Sequence, residues 1–236
     1  MKKLIFDMDG TLLDTMGMWD NFMKLYSDFD KNNIDKSFIP QVSESSSLSY
    51  SVQLVKDYQE VFVSDKEIAQ KIHAFLYDFY SSRDRAKLDV KRVIRRLYEK
   101  GYELYLATAT DFAYAYQGLR AANLHGYFTD IFTPDMIGSK KHELDYYEKL
   151  SMYIGIKEGD AIFIDDASYA LALAKNQGYA TIGVYDSHSP ENSLVEKIGD
   201  FYIRDFGELE KILRRIERGD KRTLDKIKDK EDKEII

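Results

Sequence analysis

Short apolar runs, separated by helical patterns, recur along most of the chain. Between the runs, apolar positions three and four residues apart predict amphipathic helices. The runs predict six strands, which are LIF at 4–6, YELYLAT ending at Thr108, DIF at 130–132, AIFID ending at Asp165, ATIGVY at 180–185 and DFYI at 200–203. The helical patterns are VKRVIRRLYEKG, LDYYEKLSMYIG, ALALAKNQG and GELEKILRRIE. Alternating strands and helices indicate an α/β fold with a Rossmann-like three-layer core and a mostly parallel sheet.

Residues 15–87 break this alternation. They contain no strand run but three helical patterns, MWDNFMKLYSDF, SYSVQLVKDYQEVF and KEIAQKIHAFLYDFY. We therefore expect a small helical cap domain at 15–87, inserted into an α/β core domain made of 1–14 and 88–216. Residues 217–236 alternate acidic and basic residues and are expected to form a solvated charged tail. The many tyrosines are interpreted as amphipathic packing residues.

Composition narrows the class of protein. With 236 residues, 44% of them hydrophobic, the chain can bury a sizeable core. A net charge of −7 argues against a nucleic-acid partner. The absence of cysteine excludes disulfides, thiolate metal sites and cysteine nucleophiles. Asp7 and Asp9 cut the first apolar run too short for an export signal, and no segment is long enough to span a membrane. We expect a cytoplasmic protein with no membrane partner, and a monomer by default.

Polar residues stand at the ends of three of the predicted strands. In open α/β sheets, the C-terminal ends of the strands converge on one crevice. The residues expected there are the pair Asp7 and Asp9, then Thr108, then the pair Asp165 and Asp166. A lysine pair, Lys140-Lys141, lies between the last two of these strands. Four carboxylates, a hydroxyl and a lysine would then share one space.

Four carboxylates so close together repel one another, and a divalent cation would neutralise them. Mg²⁺ favours carboxylate oxygens and is often completed by a substrate phosphate. A neighbouring lysine would supply further positive charge, and a carboxylate can itself act as the nucleophile. The pattern therefore predicts a phosphoryl-transfer site.

At this point the sequence resembles a known family. The stretch DMDGT at 7–11, a strand ending in Thr108, a downstream lysine and a strand ending in IDD at 164–166 are similar, in order, to the four motifs of the haloacid dehalogenase superfamily. The helical insertion after the first motif resembles the C1-type cap of its phosphatase and β-phosphoglucomutase-like branch. The resemblance covers roughly residues 1–215.

The resemblance implies a role for each motif residue. Asp7 would be the nucleophile that attacks phosphorus, and Asp9 would be the general acid and base. The carboxylate of Asp7, the backbone carbonyl of Asp9 and Asp166 would bind Mg²⁺, with Asp165 acting directly or through a water. The phosphoryl group would be bound by Thr108, Ala109 and the lysine.

Which lysine serves is left open by the sequence. The text Ser139-Lys140-Lys141-His142 departs from the Gly-Lys-Pro that is common in the family. Counting back from Tyr147 and Gly155 favours Lys141 over Lys140.

The expected function is that of a Mg²⁺-dependent phosphatase, a phosphohydrolase that acts on a small-molecule phosphate ester through an aspartyl-phosphate. Within the resemblance, Asp9 favours phosphate esters over carbon–halogen bonds. The alternatives are a phosphosugar mutase and a catalytically silent binding protein with the same fold. Each motif also has a purely structural interpretation: Asp7 and Asp9 could terminate a strand in a turn, and the pair Asp165-Asp166 could cap a helix.

Overall fold

The sheet of the protein is parallel throughout and has six strands among the residues that the structure describes. The computed structural model describes residues 3–18, 65–157 and 160–219. Hydrogen bonding gives the strand order β3-β2-β1-β4-β5-β6. The strands are β1 (Lys3–Phe6), β2 (Glu103–Ala107), β3 (Asp130–Phe132), β4 (Ala161–Asp165), β5 (Ala180–Val184) and β6 (Phe201–Ile203). All six predicted strands and the α/β class are confirmed.

Strand β1 lies in the middle of the sheet because its side chains are apolar on both faces. Leu4 and Phe6 pack into the core on one face, and Ile5 packs into the core on the other. In the parallel register, Phe6 stands opposite Leu106 of β2 and Ile164 of β4. The residues that follow these three strands therefore emerge at the same edge of the sheet.

Helices cover both faces of the sheet. The four helices predicted at 90–101, 144–155, 170–178 and 207–217 are present, and Gly155 ends one of them with a left-handed backbone at φ 63°. The helices are α1 (Asp65–Ser81), α2 (Val90–Glu99), α3 (Phe112–Ala121), α4 (Pro134–Ile137), α5 (Leu144–Ile154), α6 (Ser168–Asn176), α7 (Asn192–Ile198) and α8 (Leu209–Glu217), with short 3₁₀ turns at His125–Tyr127 and Phe206–Glu208.

The region expected to form a cap is described in part. Its third helical pattern is α1, as predicted, and α1 packs against α3. The first two patterns, at 18–29 and 49–62, lie outside the described residues apart from Met18, and so does the tail from residue 220 onward. The chain leaving β1 and the chain returning after α1 run antiparallel at the Leu13–Ala86 bridge. The division into core, cap and tail remains a prediction.

Among the described helices, none combines the length and the apolar character that crossing a membrane requires.

Candidate active site

Three carboxylates meet at the C-terminal edge of the sheet. Asp7 directly follows β1, and its backbone N–H donates to the carbonyl of Ile164 in β4, at 2.9 Å. This parallel pairing places Asp7 beside Asp165, the last residue of β4, and beside Asp166. Carboxylate oxygens of the three aspartates all lie within 4.8 Å of one another, and all three residues are buried. The strand ends thus bring together residues that are more than 150 positions apart in sequence. The hydrogen bond between Thr11 and Asp166, for example, joins residues 155 positions apart.

Lys141 lies between two of these carboxylates. Its Nζ is 2.5 Å from Oδ1 of Asp7 and 2.8 Å from Oδ2 of Asp165, and only 3% of the side chain is exposed. Lys140, by contrast, is exposed. The structure therefore brings Lys141, the lysine favoured by the spacing, to the predicted site.

The turn that carries Lys141 is shaped by Glu143. One carboxylate oxygen of Glu143 accepts hydrogen bonds from the Ser139 hydroxyl, at 2.8 Å, and from the Lys140 backbone N–H, at 3.0 Å. These bonds close the chain between α4 and α5 into a tight turn. The turn aims the Lys141 side chain inward while Lys140 points outward.

The cluster holds three buried carboxyl groups and one lysine, and burial disfavours the ionised carboxylates. Burial opposes the charged form of Lys141, but the carboxylates of Asp165 and Asp7 more than offset this and hold its pKa well above the usual value. Burial raises the pKa of Asp165 to about 7 against the lowering effect of Lys141. Burial and the charges of Asp7 and Asp165 raise the pKa of Asp166 well above its usual value. One lysine does not neutralise three buried carboxylates, so the site favours a further cation.

Asp166 is held against the turn that follows β1. The Thr11 hydroxyl donates to its Oδ1 at 2.8 Å. Gly10 lies beneath the other oxygen with a left-handed backbone at φ 82°. A Cβ added at Gly10 would lie 2.3 Å from Oδ2 of Asp166, far inside contact distance. Only glycine therefore allows the carboxylate to approach this turn.

The three aspartates suit a divalent cation. Their oxygens are hard, anionic and clustered, which is the donor set that Mg²⁺ takes. A second acid group, formed by Asp14, Asp186 and His188, is less suited. There Asp14 and His188 are exposed, whereas all three residues of the first group are buried.

Asp9 is separated from the lysine and is surrounded by hydroxyl groups instead. Its Oδ1 accepts hydrogen bonds from Thr15 at 2.7 Å and from Tyr80 at 2.9 Å, and its Oδ2 accepts one from Thr110 at 2.7 Å. Burial and the nearby charge of Asp7 raise the pKa of Asp9 to about 6, although the three hydroxyl groups act in the opposite direction. A carboxyl group with this pKa exchanges a proton readily near neutral pH.

The loop after β2 supplies the remaining predicted residues. Thr108 is buried, and its hydroxyl oxygen accepts the Thr110 backbone N–H at 3.1 Å. This bond uses a lone pair of the oxygen and does not involve the hydroxyl hydrogen of Thr108. Ala109 is half-buried at the apex of the loop. Because Thr110 also reaches Asp9, the loop lies directly beside the carboxylate cluster.

Sequence reasoning assigned no role to several residues that contact the aspartates, and the reason differs among them. Thr11 lies within the first motif, and Thr15 and Thr110 follow motif residues closely, so their spacing was a usable signal. Tyr80 lies 71 residues from Asp9, and in the sequence it is one of 18 tyrosines. Its contact arises from the packing of α1, which periodicity does not locate.

The protein is thus of the α/β class, with an acid–lysine cluster at the C-terminal edge of a parallel sheet. A family model described as haloacid dehalogenase-like hydrolase matches residues 4–184, which is more than half of the chain. The chain belongs to the haloacid dehalogenase-like hydrolase family, and the resemblance drawn from the sequence is confirmed.

Individual relatives agree with this assignment. A Clostridium perfringens protein that bears the provisional name pyrophosphatase PpaX is 24% identical over 208 residues, covering 86% of this chain and 92% of the relative. Among solved structures, β-phosphoglucomutase from Clostridium difficile is 15% identical with a TM-score of 0.74, covering 92% and 98% of the two chains. The Bacillus subtilis hydrolase YfnB, described as bound to magnesium, is 20% identical with a TM-score of 0.68, covering 90% and 98%. Structural similarity at these identities concerns the fold.

Proposed function

We propose that the protein is a Mg²⁺-dependent phosphatase that hydrolyses a small phosphorylated metabolite through an aspartyl-phosphate on Asp7. The observation that carries this proposal is the position of Lys141 between Asp7 and Asp165, within a cluster of three carboxylates. This arrangement orients the Asp7 carboxylate and provides positive charge for an incoming phosphoryl group.

The first step is an in-line attack of a carboxylate oxygen of Asp7 on phosphorus. A bond forms between that oxygen and phosphorus, and the bond from phosphorus to the ester oxygen breaks. Asp9 gives its proton to the departing oxygen, so an alcohol leaves. The pKa of about 6 at Asp9 suits this role, because a useful fraction of the carboxyl group is protonated near neutral pH.

The second step returns Asp7 to its starting form. Asp9, now ionised, removes a proton from a water molecule, and the water oxygen attacks phosphorus. The bond between phosphorus and Asp7 breaks, and inorganic phosphate leaves. The two aspartates therefore have different tasks, which matches their surroundings: Asp7 contacts a lysine, whereas Asp9 contacts hydroxyl groups.

The metal would be held by the carboxylates of Asp7 and Asp166 and the backbone carbonyl of Asp9, with Asp165 directly or through a water. When bound, Mg²⁺ offsets the negative charge of the carboxylates and of the phosphoryl oxygens. The description of YfnB as magnesium-bound supports this choice of metal. The phosphoryl oxygens would also be bound by the Thr108 hydroxyl, the backbone N–H of Ala109 and the Lys141 ammonium.

The helical cap expected at 15–87 would cover this site and exclude bulk water. A covered site favours small substrates over phosphoproteins. The provisional name of the Clostridium perfringens relative adds inorganic pyrophosphate to the compounds worth testing.

The test is a phosphate-release screen on a library of phosphorylated metabolites, pyrophosphate and p-nitrophenyl phosphate, with and without Mg²⁺. We expect Mg²⁺-dependent release by the wild-type protein and none by Asp7→Asn, which keeps the size of the side chain but removes the nucleophile. No release from any compound would contradict the proposal. Isomerisation of a phosphosugar that needs a bisphosphate activator and releases no phosphate would identify a mutase instead.

A further inference from the structure

We propose that Tyr80 is a positioning residue for Asp9: its hydroxyl, carried by α1, holds the carboxylate in the orientation that proton transfer requires. This inference rests on the proposed function. The Tyr80 hydroxyl donates to Oδ1 of Asp9 at 2.9 Å. None of the sequence motifs contains Tyr80, and it is contributed by the part of the chain that precedes the return to the core.

The ring of Tyr80 is fixed by packing, so its hydroxyl has a defined position. The side chain is 1% exposed. The ring stacks on Tyr114 of α3 at 6.3 Å between centroids and meets Phe79 edge-on at 5.3 Å. A tyrosine has two side-chain torsions, and tight packing removes the freedom of both. The Tyr80 side chain therefore loses little further conformational entropy when its hydroxyl bonds to Asp9.

Gly118 makes room for this ring. A Cβ at Gly118 would lie 3.0 Å from Cδ1 of Tyr80. Glycine inside a helix is unfavourable by about 1 kcal/mol relative to alanine. Its presence in the middle of α3 allows α1 to approach closely enough for Tyr80 to reach the strand end.

Tyr80 holds Asp9 from a direction that the two threonines do not provide. Thr15 lies on the segment after β1, and Thr110 lies on the loop after β2. Tyr80 shares Oδ1 with Thr15 but comes from α1, so three separate parts of the chain converge on one carboxylate. Proton donors and acceptors in catalysis must be held to within a fraction of an ångström. Because Tyr80 belongs to α1, the orientation of the Asp9 carboxylate depends on where α1 packs.

A merely structural role would have a different signature. If the hydroxyl of Tyr80 only satisfied its own burial, its loss would reduce stability without regard to the leaving group. If it positions Asp9, the loss must be largest where the departing oxygen needs a proton. The alkoxide released from an alkyl phosphate is strongly basic and needs a proton as it leaves. The p-nitrophenolate released from p-nitrophenyl phosphate is weakly basic and leaves readily without a proton.

The test compares Tyr80→Phe with the matched control Tyr114→Phe in the full chain with Mg²⁺. Tyr114 belongs to the same ring stack, but its hydroxyl contacts Nδ1 of His73 at 2.7 Å rather than Asp9. The substrates are glycerol phosphate and p-nitrophenyl phosphate, and the value compared is kcat/KM, which reports the phosphoryl-transfer step. We expect Tyr80→Phe to lower kcat/KM for glycerol phosphate by about tenfold or more and for p-nitrophenyl phosphate by less than about threefold. Tyr114→Phe should leave both values near those of the wild type.

The inference would be overturned if the wild-type protein is active and Tyr80→Phe has the same kcat/KM, or loses kcat/KM equally for both substrates. The proposed function would then still stand. A wild-type protein that releases no phosphate from either ester would overturn both. If Tyr80→Phe does not fold, Gly118→Ala displaces the ring while keeping the hydroxyl, and the same leaving-group selectivity is expected. Equal losses in that variant would again overturn the inference.

Discussion

Lys141 and Asp7 are 134 residues apart in sequence, and their side chains are joined by a 2.5 Å contact at the centre of the carboxylate cluster. The contact is buried, and the same ammonium also pairs with Asp165. A single cation therefore links the end of β1 to the end of β4. The pairing of β1 with β4 therefore also sets the position of the proposed nucleophile.

Replacing Lys141 should be far more damaging than replacing its neighbour. Lys141→Met removes a buried positive charge and leaves Asp7 and Asp165 facing each other, whereas Lys140 is exposed. Removing one partner of a buried ion pair costs about 3–5 kcal/mol of unfolding free energy. We expect Lys141→Met to lose at least about 100-fold in kcat for phosphate release.

Lys140→Met is the matched control, and it should retain activity and melting temperature close to the wild type. Both variants are compared by phosphate release and thermal unfolding. Equal effects of the two substitutions would contradict the assignment of Lys141 to the site.

Gly10→Ala should damage the site through Asp166. A left-handed backbone costs an alanine about 1–2 kcal/mol, and the new Cβ would also displace the Asp166 carboxylate. We therefore expect a lower melting temperature and at least a tenfold higher Mg²⁺ concentration for half-maximal activity.

Gly155→Ala is the control that separates the backbone strain of Gly10→Ala from its clash with Asp166. Gly155 has a similar backbone, at φ 63°, but nothing lies within 4 Å of its added Cβ. This variant should lose stability yet keep the Mg²⁺ requirement of the wild type. If Gly10→Ala changed stability alone, Asp166 would not depend on this turn.

The stability of the metal-free protein should fall as the pH rises from about 4 towards neutrality. Burial raises the pKa of Asp165 from 3.8 to about 7. An acid with a higher pKa in the folded than in the unfolded state stabilises the fold below the unfolded pKa. That stabilisation is lost as the pH rises through the folded pKa.

Mg²⁺ should restore much of the lost stability at pH 7 and above, because it binds the ionised carboxylates of the folded state. Thermal unfolding with EDTA and with Mg²⁺, from pH 4 to 8, measures both effects. Asp165→Asn, which does not titrate, should show a weaker pH dependence without metal. The same slope in this variant would refute the explanation.

The pH dependence of activity should show whether Asp9 acts as the general acid. Its carboxyl group must carry a proton when the ester oxygen leaves, and its pKa is raised to about 6. We expect kcat/KM for an alkyl phosphate to fall above about pH 6, approaching tenfold per pH unit. For p-nitrophenyl phosphate the decline should be much weaker, since its leaving group needs little protonation. Parallel profiles for the two esters would show that Asp9 does not act as the acid.

The sheet could be predicted from sequence because its strands are marked by local pattern. The strand that contains Leu4, Ile5 and Phe6 places apolar side chains on both faces of the sheet. A charged residue, Asp7, follows directly and marks where the strand ends. The aspartates were located for the same reason, since they stand at strand ends, whereas Lys141 was only favoured over Lys140 by counting back from Tyr147 and Gly155. Three of the six predicted strand ends thus located most of the cluster.

The contact between Tyr80 and Asp9 could not be derived in this way. Tyr80 reaches Asp9 because α1 packs on α3 at Gly118, and the distance between two helices depends on side chains that interlock in space. Nor does the spacing of Lys141 reveal the turn around Glu143 that directs it inward. Packing between distant elements decides the first feature, and local hydrogen bonds from Ser139 and Lys140 to Glu143 decide the second.

The central claim is that Asp7 is the nucleophile, and trapping with beryllium fluoride tests it most directly. In a crystal structure of the protein with Mg²⁺ and beryllium fluoride, the fluoride complex should be attached to a carboxylate oxygen of Asp7, with Lys141 and Thr108 contacting its fluorine atoms. Attachment to Asp9, Asp165 or Asp166 instead, with Asp7 unmodified, would contradict the claim.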